Sequence, residues 1–568
     1  MKKTTIRSLT LLLAVLLLAA VLGGCAPKQA ATTEQPTQTT EAQAPADETP
    51  EVVAPLEVDA STDASRYGGV LNLVYSTMDD HCDINAPGAS AGTFFWARYV
   101  YESALARGAD GELYPLVCEY EAADDLSWVK LWPREGVTFH DGTPVTIEDV
   151  IASYQRQTRH ATFENVTDIQ VDGDVATFTF DEQGCAKFLA WISYHVADYG
   201  VMPKWICEQF DAPNGGIITD PKYVIGTGCY KVIPEEYVNQ ELMPLERYDG
   251  YVAYEDGGDD NGQAAPRRAY MDRINCYVNK DGNNRLMHML SGDYDVIAVD
   301  IDTYQASLKD KGYGMYYDPT GKTIADTLTL LFNMHDNSTS SVVSDPNLRK
   351  AILAAVDMEL VAQAEYSSWY TMDHSPVIID GYSTEAFDNA DYCGSANIEL
   401  AKQYLEQSNY NGQTLILRRP ATAGSNACLM ISQCLEAAGI NVDIEPIEKN
   451  AYSADFKDGT AGWDMYVLFG QATTTWPGSM PTSCYRAWSC SEEANTLRDE
   501  LFRYLTGTEE SIAKWEEYAK LCVEDAPFFV ICRSKGDRFV QAPGLNPNYT
   551  GATFYYNAYW DDPSAHMG

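Results

Sequence analysis

Short strand patterns alternate with helix patterns along this chain, and that alternation most limits the folds it can adopt. Val70–Val74 and Thr414–Leu417 are mainly apolar runs of strand length, and Val442, Ile444 and Ile447 mark a third strand. A helix pattern over Ala427–Ala438, ended by Gly439, lies between the last two. Strands of this length joined by helical crossovers imply a parallel sheet. We therefore predict an α/β chain.

Local signals predict several turns and helix boundaries. Asp172-Gly173 separates two short runs of alternating residues, which indicates a hairpin because both turn positions tolerate positive φ. An aromatic-rich segment predicts a helix over Phe94–Leu105. Residues that can cap a first helical turn occur at three further places: Thr146 with Asp149, Asp345 before Pro346, and Asp357.

The first 25 residues predict export. Three basic residues precede the uncharged apolar run Leu9–Val21, and Gly23, Gly24 and Cys25 follow it. This is a secretory signal pattern, too short and wrongly flanked for a permanent membrane span. Residues 22–25 also resemble a bacterial lipoprotein box, which implies a signal peptide over 1–24 and a lipidated Cys25. The alternative is an ordinary cleaved signal with an incidental cysteine.

Residues 25–65 predict a disordered tether behind that lipid. Thr, Ala, Pro, Gln and Glu dominate this segment, and it has no aromatic residue before Tyr67. Such a composition buries too little apolar surface to offset chain entropy. No later run is long enough to span a bilayer. The remaining body of about 500 residues should therefore be soluble and contain two or three domains.

Charge and ligand spacing exclude several functions. The formal net charge of −43 makes nucleic acid an unsuitable partner, because phosphate contacts need basic patches. No two of the eight histidines stand three or four residues apart, and the thirteen cysteines after Cys25 form no C-x-x-C pair. We predict no metal site and no cofactor. Cys484 and Cys490 are close enough for a local disulfide, which the sequence leaves open.

Five motifs in a fixed order resemble the family 5 extracellular solute-binding proteins, the peptide, oligopeptide and nickel-type binders of ABC importers. The H-D-G-T-P-V-T stretch is the most specific, and Cys229 stands where the family usually has proline. The motifs are Gly136–Val150, Gly226–Tyr230, Leu290–Val296, Phe332-Asn333 with Asp345–Asp357, and Glu524–Pro527. From the residues alone, Gly226 and Gly228 fit positions where two backbones pass closely.

The resemblance implies a two-lobed periplasmic-binding-protein-like fold with an extra domain on the first lobe. The implied division is 66–108, 222–322 and 537–568 for the first lobe, 109–221 for the extra domain, and 323–536 for the second lobe. It also implies a receptor rather than an enzyme. The protein would work with ABC permease subunits at the outer face of the cytoplasmic membrane.

Ligand contacts are predicted from aromatic and polar residues beside the implied cleft. They are Trp96, Tyr99, Asn333, Gln471, Trp476, Tyr485, Arg486 and Trp488. The family's peptide binders hold the solute's α-amino group with an aspartate, but the corresponding stretch here, Gly470–Pro477, has no carboxylate. Arg418 and Arg419 could receive a carboxylate or lie in a solvated loop.

Three function hypotheses remain from the sequence. The first is capture of an oligopeptide-like solute, and the second is capture of an oligosaccharide or another polar solute on the same scaffold. A metal chelate also stays open as cargo. The third is a surface hydrolase that uses Ser90, because Gly88–Gly92 fits G-x-S-x-G; however, no strand immediately precedes it.

Overall fold

The structure is a computed structural model that describes residues 64–567 with internal gaps. The gaps are 87–88, 109–111, 158–162, 182–183, 195–198, 256–263, 300, 317–325, 334–341, 378, 380, 384, 422, 449–461, 472–491, 502, 536–538 and 548–554. The predicted signal peptide, Cys25, nearly all of the tether, and Cys484 and Cys490 lie outside the described residues.

The strands alternate with helices over most of the described chain. In chain order the strands are β1 (Val70–Tyr75), β2 (Leu105–Arg107), β3 (Leu113–Pro115), β4 (Cys118–Ala122), β5 (Trp128–Pro133), β6 (Val166–Asp172), β7 (Val175–Phe180), β8 (Tyr230–Val232), β9 (Leu242–Arg247), β10 (Arg273–Val278), β11 (Val296–Ala298), β12 (Gly314–Tyr316), β13 (Asp326–Phe332), β14 (Tyr370–Thr371), β15 (Leu415–Pro420), β16 (Val442–Ile447), β17 (Met465–Gln471), β18 (Phe528–Ser534), β19 (Phe539–Gln541), β20 (Leu545–Asn546) and β21 (Tyr559–Trp560). The α-helices are α1 (Ala91–Val100), α2 (Ile147–Arg156), α3 (Gly184–Tyr194), α4 (Lys204–Gln209), α5 (Gly282–Ser291), α6 (Ile301–Ser307), α7 (Pro346–Ala355), α8 (Met358–Tyr366), α9 (Glu385–Asp388), α10 (Ile398–Glu406), α11 (Ser425–Ala437), α12 (Glu492–Leu501) and α13 (Glu509–Asp525).

The first sheet has seven strands, in the order β12-β19-β11-β1-β10-β9-β8. Strand β1 runs parallel to both β10 and β11, whereas β8, β9, β12 and β19 pair antiparallel with their neighbours. Its strands come from three separated stretches of the chain. An apolar core that includes Leu71, Leu73, Ile274 and Trp560 packs against it.

The second sheet has six strands, in the order β14-β18-β13-β17-β15-β16. Strand β15 is parallel to β16 and to β17, and α11 connects β15 with β16. The helical crossover predicted from the sequence is thus confirmed. The strands from β17 to β14 pair antiparallel. The core on this sheet includes Leu330, Ile352, Leu417 and Trp515.

A third, four-stranded antiparallel sheet has the order β4-β5-β7-β6. Phe178 and Phe188 pack in its separate apolar core. The hairpin between β6 and β7 is present, but Asp172 pairs with Val175, so the turn residues are Gly173 and Asp174. Gly173 has φ of 60°, while Asp174 has an ordinary negative φ. This suits a turn with glycine at its first central position rather than the predicted pair.

The cap predictions are confirmed, and one helix boundary is wrong. Asp345 and Asp357 accept hydrogen bonds from the first turns of α7 and α8. The predicted Phe94–Leu105 helix instead spans Ala91–Val100. Tyr101, the next residue, has an extended backbone, and the Val100 carbonyl accepts a hydrogen bond of 2.9 Å from Gly228 N–H, outside the helix. Among the described residues, no helix has the length and apolar character needed to cross a bilayer.

Candidate functional site

Two chain crossings connect the first and second sheets. One runs from β12 to β13 and the other from β18 to β19. The strands at both ends of these crossings are paired, β12 with β19 in the first sheet and β13 with β18 in the second. The two connections therefore start and finish side by side, which is suitable for a hinge between two bodies.

Trp369 packs against the first sheet although it follows a helix of the second-sheet region. It follows α8 in the second-sheet region, yet it belongs to an apolar cluster that contains Val74, Met315 and Val540 of the first sheet. Its ring is buried, and its carbonyl accepts a hydrogen bond of 3.2 Å from Lys535 N–H at the start of a crossing. An apolar side chain thus connects the second-sheet region with the first sheet near the start of a crossing.

Arg533, near the end of β18, carries the buried charge at the second-sheet end of a crossing. The residue is 9% exposed, and its Nη2 contacts the carboxylate of Asp373. Thr327 lies directly opposite on β13, and Thr329 Oγ1 donates to Thr327 Oγ1 at 3.1 Å. We call Arg533, Asp373, Thr327 and Thr329 the Arg533 cluster. Burial lowers the pKa of Arg533 to about 10, so the guanidinium remains charged at neutral pH.

His140 joins two of the sequence motifs. Gly226 N–H donates to its Nδ1 at 3.2 Å, so the proton is on Nε2, which donates to the Gly228 carbonyl at 2.9 Å. Burial lowers the pKa of His140 to about 4, and the hydrogen bond to Gly228 offsets only part of that effect. A Cβ atom on Gly226 would lie 2.1 Å from the Val100 carbonyl oxygen. The predicted close approach of two backbones is confirmed.

Arg156, the last residue of α2, connects the same region to the loop after β1. Its Nη1 donates to Asp83 Oδ1 at 2.7 Å, its Nη2 to Asp83 Oδ2 at 2.5 Å, and its Nε to the Phe210 carbonyl at 2.7 Å. Asp83 is fully buried and also accepts from Ile218 N–H. We call Asp83, Arg156, His140, Gly226 and Gly228 the first-sheet junction.

Thr146 positions that helix. Its hydroxyl accepts from Asp149 N–H, and the Asp149 carboxylate accepts from Thr146 N–H at 2.8 Å, which completes the predicted capping box. The motif around His140 therefore builds the connection between the first and third sheets.

Ser90 is a helix cap rather than a nucleophile. Its Oγ donates to Asp79 Oδ1 at 2.8 Å and accepts from Gly92 N–H at the start of α1. Strand β1 ends at Tyr75, well before Ser90, so the strand–turn–helix elbow of a hydrolase is absent here. Asp79 also accepts from Thr93, which commits both of its oxygens to holding the helix N-terminus.

Two of the predicted ligand residues, Trp96 and Tyr99, lie in the first-sheet core. Both are fully buried. The Tyr99 ring packs edge-on against Tyr230 and Tyr556, and its hydroxyl accepts from Tyr555 N–H at 3.4 Å. Packing alone accounts for the burial of both rings, and their contact with a solute stays a prediction.

The other predicted ligand residues follow strands of the second sheet. Asn333 directly follows β13, is 1% exposed, and donates from Nδ2 to the Trp463 carbonyl at 2.9 Å. Gln471 is the last residue of β17, where it pairs with Asp326. Trp476, Tyr485, Arg486 and Trp488 lie outside the described residues. Contact of all six with a solute stays a prediction.

The structure also gives the positions of the charged candidates and of possible metal ligands. Arg418 and Arg419 belong to β15, so a solvated loop is the wrong description, and Arg418 Nε donates to Glu445 at 3.0 Å. Arg533 was missed because an arginine after Phe528–Cys532 resembles an ordinary end of a strand. In the described part of the chain, no group of three or more His, Cys, Asp or Glu residues could hold a metal ion.

The profile of the bacterial extracellular solute-binding proteins, family 5 (middle region), matches residues 112–495. The chain belongs to this family. It is the substrate-binding component of a peptide-type ABC importer, acts outside the cytoplasm, and is not an enzyme.

Individual relatives are distant but similar over most of the chain. The probable peptide ABC transporter periplasmic-binding protein y4tO of Sinorhizobium fredii is 23% identical over 65% of this chain and 69% of its own. DppA of Helicobacter pylori, solved with the peptide STSA, has a TM-score of 0.69 and 18% identity, covering 87% of this chain and 99% of its own. The periplasmic EDTA-binding protein EppA has a TM-score of 0.70 and 17% identity, covering 90% and 99%. These structures share the two-lobed fold.

Proposed function

We propose that this protein captures an oligopeptide-like solute between the first and second sheets and delivers it to the permease of an ABC importer. The observation that carries this proposal is the pair of adjacent crossings, β12 to β13 and β18 to β19, within a family 5 chain. Paired crossings permit the two bodies to close over a solute. A solute that binds the closed form better shifts the population toward it, which lets a permease distinguish loaded from empty protein.

Peptide is the solute class that the names of several relatives support, including y4tO, a murein peptide-binding protein and an oligopeptide-binding protein. The stretch Gly470–Pro477 has no carboxylate to hold an α-amino group. The α-amino group of a peptide would then need an acceptor outside this stretch, or the solute would be anchored by its other end, by its backbone or by its side chains. EppA, named for EDTA, extends the range of solutes bound by this fold to a polycarboxylate.

Thermal unfolding against a panel of solutes tests the function. The purified protein is scanned with di- to nonapeptides, oligosaccharides and metal–EDTA complexes. A solute present at 100 times its dissociation constant should stabilise the protein by about 2.7 kcal/mol, which raises the melting temperature measurably. Stabilisation by peptides is expected. Stabilisation by sugars or chelates alone would replace the peptide assignment and leave the transport role in place.

We also propose that Cys25 is lipidated and that residues 25–65 tether the folded body to the outer face of the membrane. The support is the lipoprotein-like sequence Leu22-Gly23-Gly24-Cys25 behind an apolar run. More than one acyl chain anchors stably, because each buried methylene contributes about 0.8 kcal/mol. Cells grown with labelled palmitate should label the wild type and not Cys25→Ser. Equal labelling of both would overturn the assignment.

A further inference from the structure

Of the four buried arginines in the described part of the chain, two have an acceptor for every guanidinium nitrogen. Arg156 is 2% exposed, and all three of its guanidinium nitrogens donate to oxygen atoms. Arg349 is equally buried, and its three nitrogens donate to backbone carbonyls of four residues: Val343, Ser344, Asp525 and Ala526. Arg267 leaves only Nε unpaired, while its Nη1 pairs with Glu102 and its guanidinium lies over the Tyr556 ring.

Arg533 departs from this pattern. Only Nη2 has an acceptor, in Asp373; Nε and Nη1 are buried and have no hydrogen-bond partner in the described part of the chain. A guanidinium carries five N–H donors, and these two nitrogens hold three of them. Leaving charged donors buried without acceptors is costly, so folded proteins retain such groups chiefly where a ligand or an ordered water completes them.

The position of Arg533 favours a ligand over a structural role. Ser534, the next residue, ends β18, and the chain then crosses to the first sheet. Thr327, opposite Arg533, is the second residue of β13, just after the other crossing. Residues directly opposite in an antiparallel pair place their side chains on the same face. The Arg533 cluster is therefore a polar group at the edge of the second sheet from which both crossings lead to the first sheet.

We propose that Arg533 receives a carboxylate of the captured solute, so that the cargo is an organic acid such as a peptide with a free C-terminus. A guanidinium matches the two oxygens of a carboxylate, and its unused donors would be filled on binding. A protein of net charge −43 repels anions in general, so a buried cation supplies the local attraction that such a solute needs. This inference rests on the proposed function, because it assigns one contact at the same site.

Matched ligand pairs test the contact. Peptides of one sequence, with a free or an amidated C-terminus, are titrated by calorimetry into the wild type, Arg533→Met, Arg533→Lys and Arg418→Met. The wild type should bind the free acid at least ~10-fold more tightly than the amide, the scale of one charge-assisted hydrogen bond. Arg533→Met should lose this preference, and Arg533→Lys should keep part of it. Arg418→Met tests the other arginine that the sequence offers for a carboxylate. Because Arg418 Nε already donates to Glu445, this variant should keep all of the preference, and a loss here would move the carboxylate site to β15.

Binding of the amidated peptide reports whether each variant is folded. If Arg533→Met binds the amide as the wild type does but no longer prefers the acid, the contact is supported. An undiminished preference for the acid would overturn it.

Small dicarboxylates and neutral oligosaccharides separate this inference from the function on which it rests. Dicarboxylate binding that disappears in Arg533→Met would support the carboxylate site and remove only the peptide assignment. Sugar binding that Arg533→Met leaves intact would overturn the carboxylate site while the transport role stands. No response of the wild type to any solute would count against both proposals.

Discussion

The first-sheet junction and the Arg533 cluster both bury charged side chains, but only the junction pairs them fully. Every guanidinium nitrogen of Arg156 has an acceptor around the buried Asp83, whereas Nε and Nη1 of Arg533 have none among the residues that the structure describes. Burial alone therefore does not identify a functional side chain. An ion pair whose donors all have acceptors connects two parts of the fold. One with unpaired donors can still bind an acceptor from a ligand.

Removing Arg156 should have the largest effect. Arg156→Met would leave the fully buried Asp83 without its charge partner, and an unpaired buried charge costs about 3–5 kcal/mol. Urea unfolding of the purified variant measures this loss, with Arg533→Met as the matched control. If Arg156→Met unfolds at the wild-type urea concentration, the junction is not the structural connection that its geometry indicates.

A methyl group at Gly226 should be the next most damaging change. Its Cβ would lie 2.1 Å from the Val100 carbonyl oxygen, a backbone atom that cannot move aside. Overpacking of this kind costs about 3 kcal/mol. Gly282→Ala is the control, since its Cβ would meet only Arg285 Nη2 at 3.6 Å. Urea unfolding should show a large loss for Gly226→Ala and a change near zero for Gly282→Ala.

These two regions also differ in how far the sequence predicts them. The capping box at Thr146 and the close approach at Gly226 depend on neighbouring residues or on glycine itself, so the sequence predicts both. The chain is extended after Val100, whose carbonyl bonds Gly228 N–H 128 positions later, and the predicted helix is too long. Local patterns cannot show which distant backbone group will take a helix carbonyl.

The Arg533 cluster could not be predicted for the same reason. The partner of Arg533 is Asp373, 160 positions earlier in the chain. What distinguishes this arginine is that two nitrogens lack acceptors, and that depends on everything packed around it. The available signal, a single charge at the end of an apolar strand, also describes many surface residues. The aromatic candidates, by contrast, were chosen by type, and two of them, Trp96 and Tyr99, lie in the core.

Acidification should weaken the junction through His140. Its folded pKa of about 4 lies below its unfolded value of about 6.5, so the unfolded state binds the proton first. The contribution of neutral His140 is complete above the unfolded pKa and falls as pH drops toward 4. Between pH 7 and pH 5 the free energy of unfolding falls by about 2 kcal/mol through this group. Urea unfolding of His140→Gln should lack this component of the pH dependence.

Protonation of Asp295 should change the stability of the fold in the opposite direction, so this residue serves as the control. Burial raises its pKa to about 7, although the hydrogen bond from Asn72 N–H lowers it in part. The folded state then binds the proton first, so acidification from pH 7 to pH 5 stabilises the fold through this group. Asp295→Asn should therefore lose stability more steeply than the wild type as pH falls. If both variants follow the wild-type pH dependence, neither group titrates as its surroundings indicate.

The smallest effect on stability is expected where the effect on binding is largest. Arg533→Met removes a buried guanidinium with three unpaired donors, and replacing such a group with an apolar one of similar length is close to neutral. Asp373 loses its partner, but its side chain is 24% exposed and water can solvate it. In the absence of solute, urea unfolding should place the variant within about 1 kcal/mol of the wild type. The double variant Arg533→Met with Asp373→Asn also removes the carboxylate charge, and it should unfold at about the same urea concentration as Arg533→Met alone. A loss of several kcal/mol in both would make Arg533 a structural residue like Arg156 and erase the difference between the two regions.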